Sequence, residues 1–279
     1  MKLGLIRRSF LLMGLAAIVV LFSSQPVQAR LSVNPLTIEL EAGAGNTATG
    51  NFNLENTGQE PIETNIQLVD WRRTPEGGLQ FLPPGANDRS CADWLVYSPT
   101  SLTLEPGEKS QVSVEVDVPD EAEGDHWAML LVTEKRRETE DEEPVSARFT
   151  VNYAIKILQR DPYTDQKDAK ITNIKLTEKN PLGLAVTYKN TGPTHLQTTG
   201  TVDIRNIEGE TVREFEISEF PTLPGEERIV KVSSPEESEP LTPGTYYAIV
   251  VMDFGGDRLI QGGLPLEIEE DGESSASGS

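Results

Sequence analysis

The sequence has one cysteine and only two histidines, and it lacks the common catalytic motifs. Cys91 alone cannot form an intramolecular disulfide, so the fold has to be stabilised by a hydrophobic core. His126 and His195 have no cysteine or carboxylate neighbours at zinc-ligand spacing. No nucleophile elbow, phosphate-binding loop or dinucleotide-binding glycine pattern occurs. We therefore expect a protein that is not an enzyme and that binds neither a metal nor a cofactor.

Basic residues are also scarce. Lys and Arg together number 24 against 45 Asp and Glu, which gives a net charge of −21 at pH 7. A chain of this charge repels the phosphates of nucleic acids and anionic membrane surfaces. We therefore expect the protein to bind neither nucleic acid nor a membrane.

The sequence has one long apolar run, Leu11–Phe22, and no second one. Arg7 and Arg8 precede it, and the small-residue sequence Val27–Ala29 follows. The run is too short to span a bilayer, so it predicts a cleaved signal peptide at residues 1–29. The arginine pair also fits a twin-arginine signal, although the very apolar run favours the general secretory route. The mature chain is then expected in the periplasm or outside the cell, with no membrane insertion.

The remainder of the chain predicts short strands separated by turns. Residues 111–118 alternate apolar and polar side chains with a period of two, and residues 169–176 and 185–188 do so in part. Val, Ile, Thr and aromatic residues fill these runs, and Gly, Pro and Asn separate them. The pattern is typical of an all-β sandwich.

Three sequence elements occur twice, in the same order. The pairs are Asn56–Gly58 with Asn190–Gly192, Pro106–Glu108 with Pro224–Glu226, and residues 124–132 with residues 244–252. Asn-x-Gly and Pro-Gly sequences favour tight turns and tolerate positive backbone φ angles. The repeat predicts two tandem immunoglobulin-like β-sandwich domains. It also aligns Trp127 with Tyr247, so we expect both side chains to pack in the same way on a core strand.

Composition sets the predicted boundaries. The first domain covers residues 30–160, and the second covers residues 169–268. Between them, residues 161–168 are polar and predict a linker. Residues 137–144 are acidic and predict a solvated loop, and residues 269–279 predict a disordered acidic tail.

Two segments of the first domain, residues 104–112 and 145–160, resemble the periplasmic pilus chaperones of the PapD-like class. The resemblance covers most of residues 31–160 and is weaker in the second domain. In that family the last strand of the first domain carries alternating apolar residues, then an Ile-Lys step, then an arginine. The residues that match this pattern here are Ala147, Phe149, Val151, Ile155-Lys156 and Arg160.

The resemblance implies a mechanism and a partner. Chaperones of this class lend an edge strand to an exported pilin-like subunit whose own sandwich lacks its last strand. A lysine in the cleft between the two domains holds the terminal carboxylate of the subunit. By match, Lys156 is that anchor, Arg160 is the arginine that follows it, and the groove-filling side chains are Ala147, Phe149 and Val151.

The sequence departs from the family pattern in its first strand, where the family places a second, arginine anchor. Residues 31–38 contain no arginine, so this anchor is missing unless Arg89 or Arg160 replaces it. The odd-numbered residues from 145 to 157 are also candidates for the core of their own domain, because a sandwich strand must bury one face. We expect this for residues 153–157 and leave it open for residues 147–151. The alternative interpretation of Lys156 is an ordinary solvated strand lysine.

The sequence therefore predicts an exported chaperone-like binding protein that holds secreted or pilin-like subunits by β-strand addition. The alternative is a structural or adhesive cell-surface module of the same fold without chaperone activity. The missing first-strand arginine, the divergent second domain and the acidic tail motivate this alternative.

Overall fold

The structure is a computed structural model that describes residues 30–135 and 152–269. Strands make up most of these residues, with one short 3₁₀ helix at Ala92–Trp94. The strands form two β-sandwiches, one after the other along the chain. The predicted all-β fold of two tandem immunoglobulin-like domains is therefore confirmed.

The described part of the first domain contains ten strands. They are β1 (Leu31–Asn34), β2 (Thr37–Glu41), β3 (Thr47–Asn56), β4 (Ile62–Arg73), β5 (Leu79–Leu82), β6 (Leu95–Ser98), β7 (Ser101–Leu104), β8 (Lys109–Asp117), β9 (His126–Lys135) and β10 (Asn152–Arg160). One sheet has the order β1-β3-β8-β6, and the other has the order β2-β10-β9-β4-β5, with β7 also paired to β4. Strand β2 runs parallel to β10, and the other pairs of this domain are antiparallel.

Seven strands build the second domain. They are β11 (Ala169–Lys179), β12 (Leu182–Asn190), β13 (Leu196–Arg205), β14 (Thr211–Thr222), β15 (Glu227–Ser233), β16 (Gly244–Asp253) and β17 (Ile260–Ile268). The sheets have the orders β11-β12-β15 and β14-β13-β16-β17, and every pair is antiparallel. Residues 161–168, which the sequence predicts as the linker, lie between β10 and β11.

The alternating strands bury one face, as their period predicts. On β8 the side chains of Val112, Val114 and Val116 are fully buried between the two sheets of the first domain. Cys91 belongs to the same core, where burial raises the pKa of its thiol. Each fully buried aliphatic side chain contributes about 1.5–3 kcal/mol to stability relative to exposure. Because Cys91 is the one cysteine of the chain, these apolar cores stabilise the two sandwiches without an intramolecular disulfide.

The Asn-Thr-Gly repeat forms the same buried turn in both domains. The side-chain amide of Asn56 donates to the carbonyl oxygens of Glu60 and Leu104, at 2.7 and 2.9 Å. The amide of Asn190 makes the equivalent bonds to the carbonyls of Thr194 and Thr222, at 2.8 and 3.3 Å. In each copy the asparagine Oδ1 accepts the N–H of the following glycine. The repeat predicted from sequence is thus a repeat of structure.

The glycines of the two repeated turns serve different purposes. Gly107 and Gly225 of the Pro-Gly turns both have a φ of 77°, as expected. Neither Gly58 nor Gly192 of the Asn-x-Gly turns has a positive φ, so these turns do not use the conformational tolerance of glycine. A Cβ at Gly192 would lie 2.8 Å from the backbone nitrogen of Asp168, so close approach of the chain excludes a side chain there.

The aligned strands β9 and β16 have the same phase but different surroundings. Ala128, Leu130 and Val132 are fully buried, and so are their equivalents Ala248, Val250 and Met252. The expectation that Trp127 packs like Tyr247 is nevertheless wrong. Trp127 is 5% exposed, whereas Tyr247 is 49% exposed. Both residues lie on the outer face of their sheet. The second domain covers this face of the first domain, whereas the equivalent face of the second domain leaves Tyr247 half exposed.

Replacement of Trp127 by alanine tests this difference. We expect Trp127→Ala to lower the free energy of unfolding by about 3–5 kcal/mol, as a large buried truncation does. Tyr247→Ala, at the equivalent position of the repeat, is expected to cost about 1 kcal/mol or less because its side chain is half exposed. Urea denaturation of both variants measures the two losses. Equal losses would contradict the assignment of Trp127 to a covered face.

Candidate functional site

The two domains meet at an apolar cluster on the outer face of the β10-β9-β4 sheet. Trp71, Trp127, Met129 and Leu158 of the first domain pack with Leu223 of the second. The indole N–H of Trp71 donates to the Ala128 carbonyl at 3.1 Å, and that of Trp127 donates to the Trp71 carbonyl at 3.0 Å. Because both indole N–H groups are satisfied, the rings are fixed in orientation as well as buried.

Strand β10 divides its side chains between its own core and the domain junction. Ile155 and Ile157 are fully buried in the first sandwich, and Tyr153 packs against the same core with its hydroxyl donating to the Leu31 carbonyl at 2.5 Å. This confirms the core interpretation for residues 153–157. The intervening side chains of Ala154, Lys156 and Leu158 therefore lie on the outer face of the sheet, as strand alternation requires, and Lys156 and Leu158 line the junction with the second domain. The predicted groove-filling residues Ala147, Phe149 and Val151 lie outside the described residues.

Lys156 is a half-buried cation without a carboxylate partner among the described residues. Its Nζ lies 5.6 Å from the centroid of the Trp71 ring, and its ammonium has no hydrogen bond or ion pair with any residue in the described ranges. Burial and the charge of Arg73 lower the pKa of Lys156, and Glu226 acts in the opposite direction. The cation–π contact offsets only part of the lost hydration. An anion placed next to this ammonium would be bound favourably.

A cavity of about 150 Å³ opens beside Lys156 between the two domains. The first domain lines it with Thr37, Glu39, Trp71, Arg73, Lys156 and Leu158, and the second domain lines it with His195, Gln197, Pro221 and Leu223. We call this cavity the cleft. It combines an apolar floor with several hydrogen-bond donors, so it suits a group that is charged at one end and apolar at the other.

Arg73 is a second cation of the cleft, and sequence analysis did not identify it. Its Nη1 lies 2.9 Å from Oε1 of Glu226, and the two side chains are only 10% and 6% exposed. Oε2 of Glu226 accepts the N–H of Leu223 at 2.8 Å, as Glu108 accepts the N–H of Glu105 in the first domain. Arg73 follows Trp71 by two residues on β4, so the strand period places it on the same face. This spacing of two residues from Trp71 was the one feature of the sequence that could have indicated Arg73 as part of the site.

Arg160, the second predicted binding residue, connects the domains at the edge of the cleft. Its Nη1 donates to Nδ1 of His195 at 2.8 Å, and its Nε lies 3.3 Å from Oδ2 of Asp125. The same Asp125 oxygen accepts the backbone N–H of His195 at 2.7 Å. Asp125 is 3% exposed and links β9, the end of β10 and the second domain. The predicted role of Arg160 in binding a subunit stays a prediction.

Arg89, the other candidate for the missing first-strand arginine, supports a loop. Its Nη1 donates to the carbonyl oxygens of Glu123 and Asp125, at 2.9 and 3.4 Å. Arg89 lines other cavities than the cleft. Arg73, and not Arg89, therefore stands next to Lys156.

The two histidines have separate surroundings. The ring of His126 lies 4.4 Å from that of Trp94, centroid to centroid. His195 is 8% exposed. Burial, followed by the charges of Arg160, Arg73 and Lys156, lowers the pKa of His195 to about 4. His195 is therefore neutral at neutral pH.

One side of β10 has an unpaired edge directly before Lys156. β10 pairs with β9 from Asn152 onward, but it pairs with β2 only from Lys156 onward. The Lys156 N–H donates to the Leu36 carbonyl on the β2 side. Strand alternation places the backbone groups of Asn152 and Ala154 on that same side. No strand within residues 30–135 and 152–269 pairs with them there.

The described part of the chain contains no group of three or more side chains that could hold a metal ion. Within those same ranges, no helix is long and apolar enough to cross a membrane.

The buried Arg73–Glu226 pair can be tested by removing its cation. Arg73→Met removes the nearer of two cations from the buried Glu226 carboxylate, since Arg228 Nη1 lies 3.8 Å from its Oε1, and we expect the loss of the closer pair to lower the free energy of unfolding by about 3 kcal/mol. Arg30→Ala is the control, because the Arg30–Glu60 pair is 37% and 77% exposed and should contribute about 1 kcal/mol or less. Urea denaturation at low and high salt measures both. A loss in Arg73→Met no larger than the control would show that the pair does not hold the domains together.

No protein-family model matches the sequence, and no curated protein matches it. Among solved structures, the chain is similar to a chaperone–tip adhesin complex of CFA/I fimbriae, at 10% identity and a TM-score of 0.46 over 86% of this chain and 98% of that one. It is similar to the CsuC–CsuE chaperone–tip adhesion subunit complex of Acinetobacter baumannii, at 14% identity and a TM-score of 0.45 over 84% and 98% of the two chains. It is also similar to the CupB2 chaperone of Pseudomonas aeruginosa, at 13% identity and a TM-score of 0.42 over 85% and 100%. The likeness to PapD-like pilus chaperones that the sequence predicted thus extends over most of the chain.

Proposed function

We propose that this protein is an exported, periplasmic chaperone that holds pilin-like subunits by β-strand addition and by an ionic anchor. The terminal strand of the subunit pairs with the open edge of β10, and its terminal carboxylate binds Lys156. The observation that carries the proposal is the position of the unpaired Lys156 ammonium, which enters the cleft where the open edge of β10 ends.

The open edge supplies the hydrogen bonds of the added strand. The backbone N–H and C=O groups of Asn152 and Ala154 point away from β9, and an extended peptide can pair with them as a further strand of the sheet. Main-chain hydrogen bonds of this kind give affinity without regard to sequence. The apolar positions Ala147, Phe149 and Val151, which precede the edge, would supply side-chain contacts in this proposal.

The cleft supplies the point at which the added strand must end. An ionised carboxylate next to Lys156 would form a charge-assisted hydrogen bond, which contributes about 1.5–3 kcal/mol. Arg73, which is paired with Glu226, lines the same cleft from β4 beside Lys156. The anchor sets the register, because a one-residue shift of the peptide would move its carboxylate away from Lys156.

Proline at position 154 tests strand addition. Ala154→Pro removes an N–H that faces the open edge and leaves the ladder with β9 intact, so we expect at least a tenfold loss of affinity for an added strand with little change in stability. The probe is a synthetic peptide of alternating Val and Thr that ends in a free carboxylate, and titration calorimetry measures its binding. Ile155→Pro is the contrasting variant, because its N–H faces β9 and its loss should destabilise the domain by about 3 kcal/mol. Unchanged affinity in Ala154→Pro would refute strand addition at this edge.

Replacement of Lys156 tests the ionic anchor. Lys156→Met keeps the apolar stem and removes the charge, so we expect it to weaken binding of the peptide with a free carboxylate by about tenfold. The same peptide ending in an amide should bind wild type and Lys156→Met equally. Lys170→Met, which replaces an exposed strand lysine, is the control. If wild type binds neither peptide and retains no envelope protein, the structural or adhesive alternative is the correct one.

A further inference from the structure

A buried ring nitrogen of His195 has no hydrogen-bond partner. The residue is 8% exposed, and its Nε2 makes no bond to any atom of the described residues. Unpaired buried donors and acceptors are rare in folded proteins, and each one calls for a physical reason. His195 comes from the second domain and lines the same cleft as Lys156.

The neighbours of His195 determine which nitrogen carries the proton. The guanidinium of Arg160 can only donate, so the 2.8 Å contact with Nδ1 makes Nδ1 an acceptor. A neutral imidazole that accepts at Nδ1 carries its proton at Nε2. Burial, followed by the charges of Arg160, Arg73 and Lys156, lowers the pKa of the ring and keeps it neutral. His195, a residue that lines the cleft, therefore holds a buried donor without a partner, the Nε2–H group.

The charged groups around this donor are mostly cations. Lys156 and Arg160 come from β10, and Arg73 comes from β4. Two carboxylates near them are already engaged: Asp125 accepts from Arg160 and the His195 backbone, and Glu226 accepts from Arg73 and Leu223. Glu39 of β2 also lines the cleft; its side chain is 55% exposed, and its Oε2 lies 3.9 Å from Nη1 of Arg160. Among the described residues, none offers an acceptor to Nε2.

We propose that His195 Nε2–H donates a hydrogen bond to the terminal carboxylate of the bound subunit, beside Lys156. The carboxylate has two oxygens, so one can accept from the Lys156 ammonium and the other from His195. The first domain then supplies the charge and the second domain supplies the orientation. Both domains thereby bind the terminus of the subunit. His195 is a positioning residue, and it favours binding of a free carboxyl terminus over an internal segment of chain. This inference rests on the proposed function.

Two substitutions separate the two ring nitrogens of His195. His195→Asn places an amide oxygen near the position of Nδ1, so it can still accept from Arg160 but loses the Nε2–H donor. His195→Gln places an amide N–H near the position of Nε2, so it retains the donor and loses the acceptor. We expect His195→Asn to weaken the binding of the Val/Thr peptide with a free carboxylate by about tenfold. We expect His195→Gln to retain most of the affinity.

The opposite order of the two variants would overturn the proposal, because it would show that His195 serves only to orient Arg160. The amide-ended peptide is the control and should bind all variants alike. Lys156→Met distinguishes the two proposals. If it abolishes the preference for a free carboxylate and His195→Asn does not change that preference, the anchor stands and the role of His195 is refuted. If wild type shows no preference, the anchor itself fails.

Nuclear magnetic resonance of the wild-type protein gives a test that does not depend on a variant folding. The chain has two histidines, so a sample labelled with ¹⁵N in histidine gives few ring signals to assign. We expect the neutral Nε2–H tautomer of His195 in the free protein, and a downfield shift with slower exchange of that proton when the carboxylate peptide binds. The Nδ1–H tautomer, or a proton that does not respond to the carboxylate peptide, would contradict the proposal.

Discussion

The docking of the second domain on the outer face of the β10-β9-β4 sheet is the contact on which the rest of the structure depends. This face carries Trp71, Trp127 and Leu158, and in an isolated sandwich it would meet solvent. Leu223 and its neighbours remove that apolar surface from water, which is the dominant favourable term in such an association. Because the contact covers only part of the face, it leaves the cleft at its margin and exposes one side of Lys156 to it.

The same docking decides which cations are available to a ligand. The chain is strongly acidic, yet the junction collects Arg73, Lys156 and Arg160 around one small cavity. Arg73 is paired with Glu226, and Arg160 is paired with Asp125, each inside the interface. Lys156 is left over, with a pKa lowered by burial and by Arg73. Lysines with a lowered pKa and buried donors without a partner are features of functional sites. Such a group is less stable in the free protein than when a ligand supplies the missing partner.

The fold was predictable from the sequence because strand period and turn chemistry are local properties. The alternation at residues 111–118 and the paired Asn-Thr-Gly and Pro-Gly turns were sufficient for two sandwiches. The site was predictable only in part. Lys156 was found through a family resemblance, whereas Arg73 and His195 were missed. Period-two alternation identifies the two faces of a strand, but it does not predict which outer face another domain will cover. Trp127 and Tyr247 occupy equivalent positions of the repeat, yet only Trp127 is buried, and the sequence pattern could not predict this difference.

The two copies of the repeat show how one turn can acquire a second use. In both domains the buried asparagine fixes a turn and a glutamate accepts an N–H three residues before it. In the second copy that glutamate, Glu226, also binds Arg73, and the Asn190 turn leads directly to Pro193 and His195, which bind Asp125. A turn that is rigid for reasons of its own can present side chains to another domain with little further loss of conformational entropy. The second domain therefore acts as a rigid wall of the cleft, and His195 is held in place before any ligand arrives.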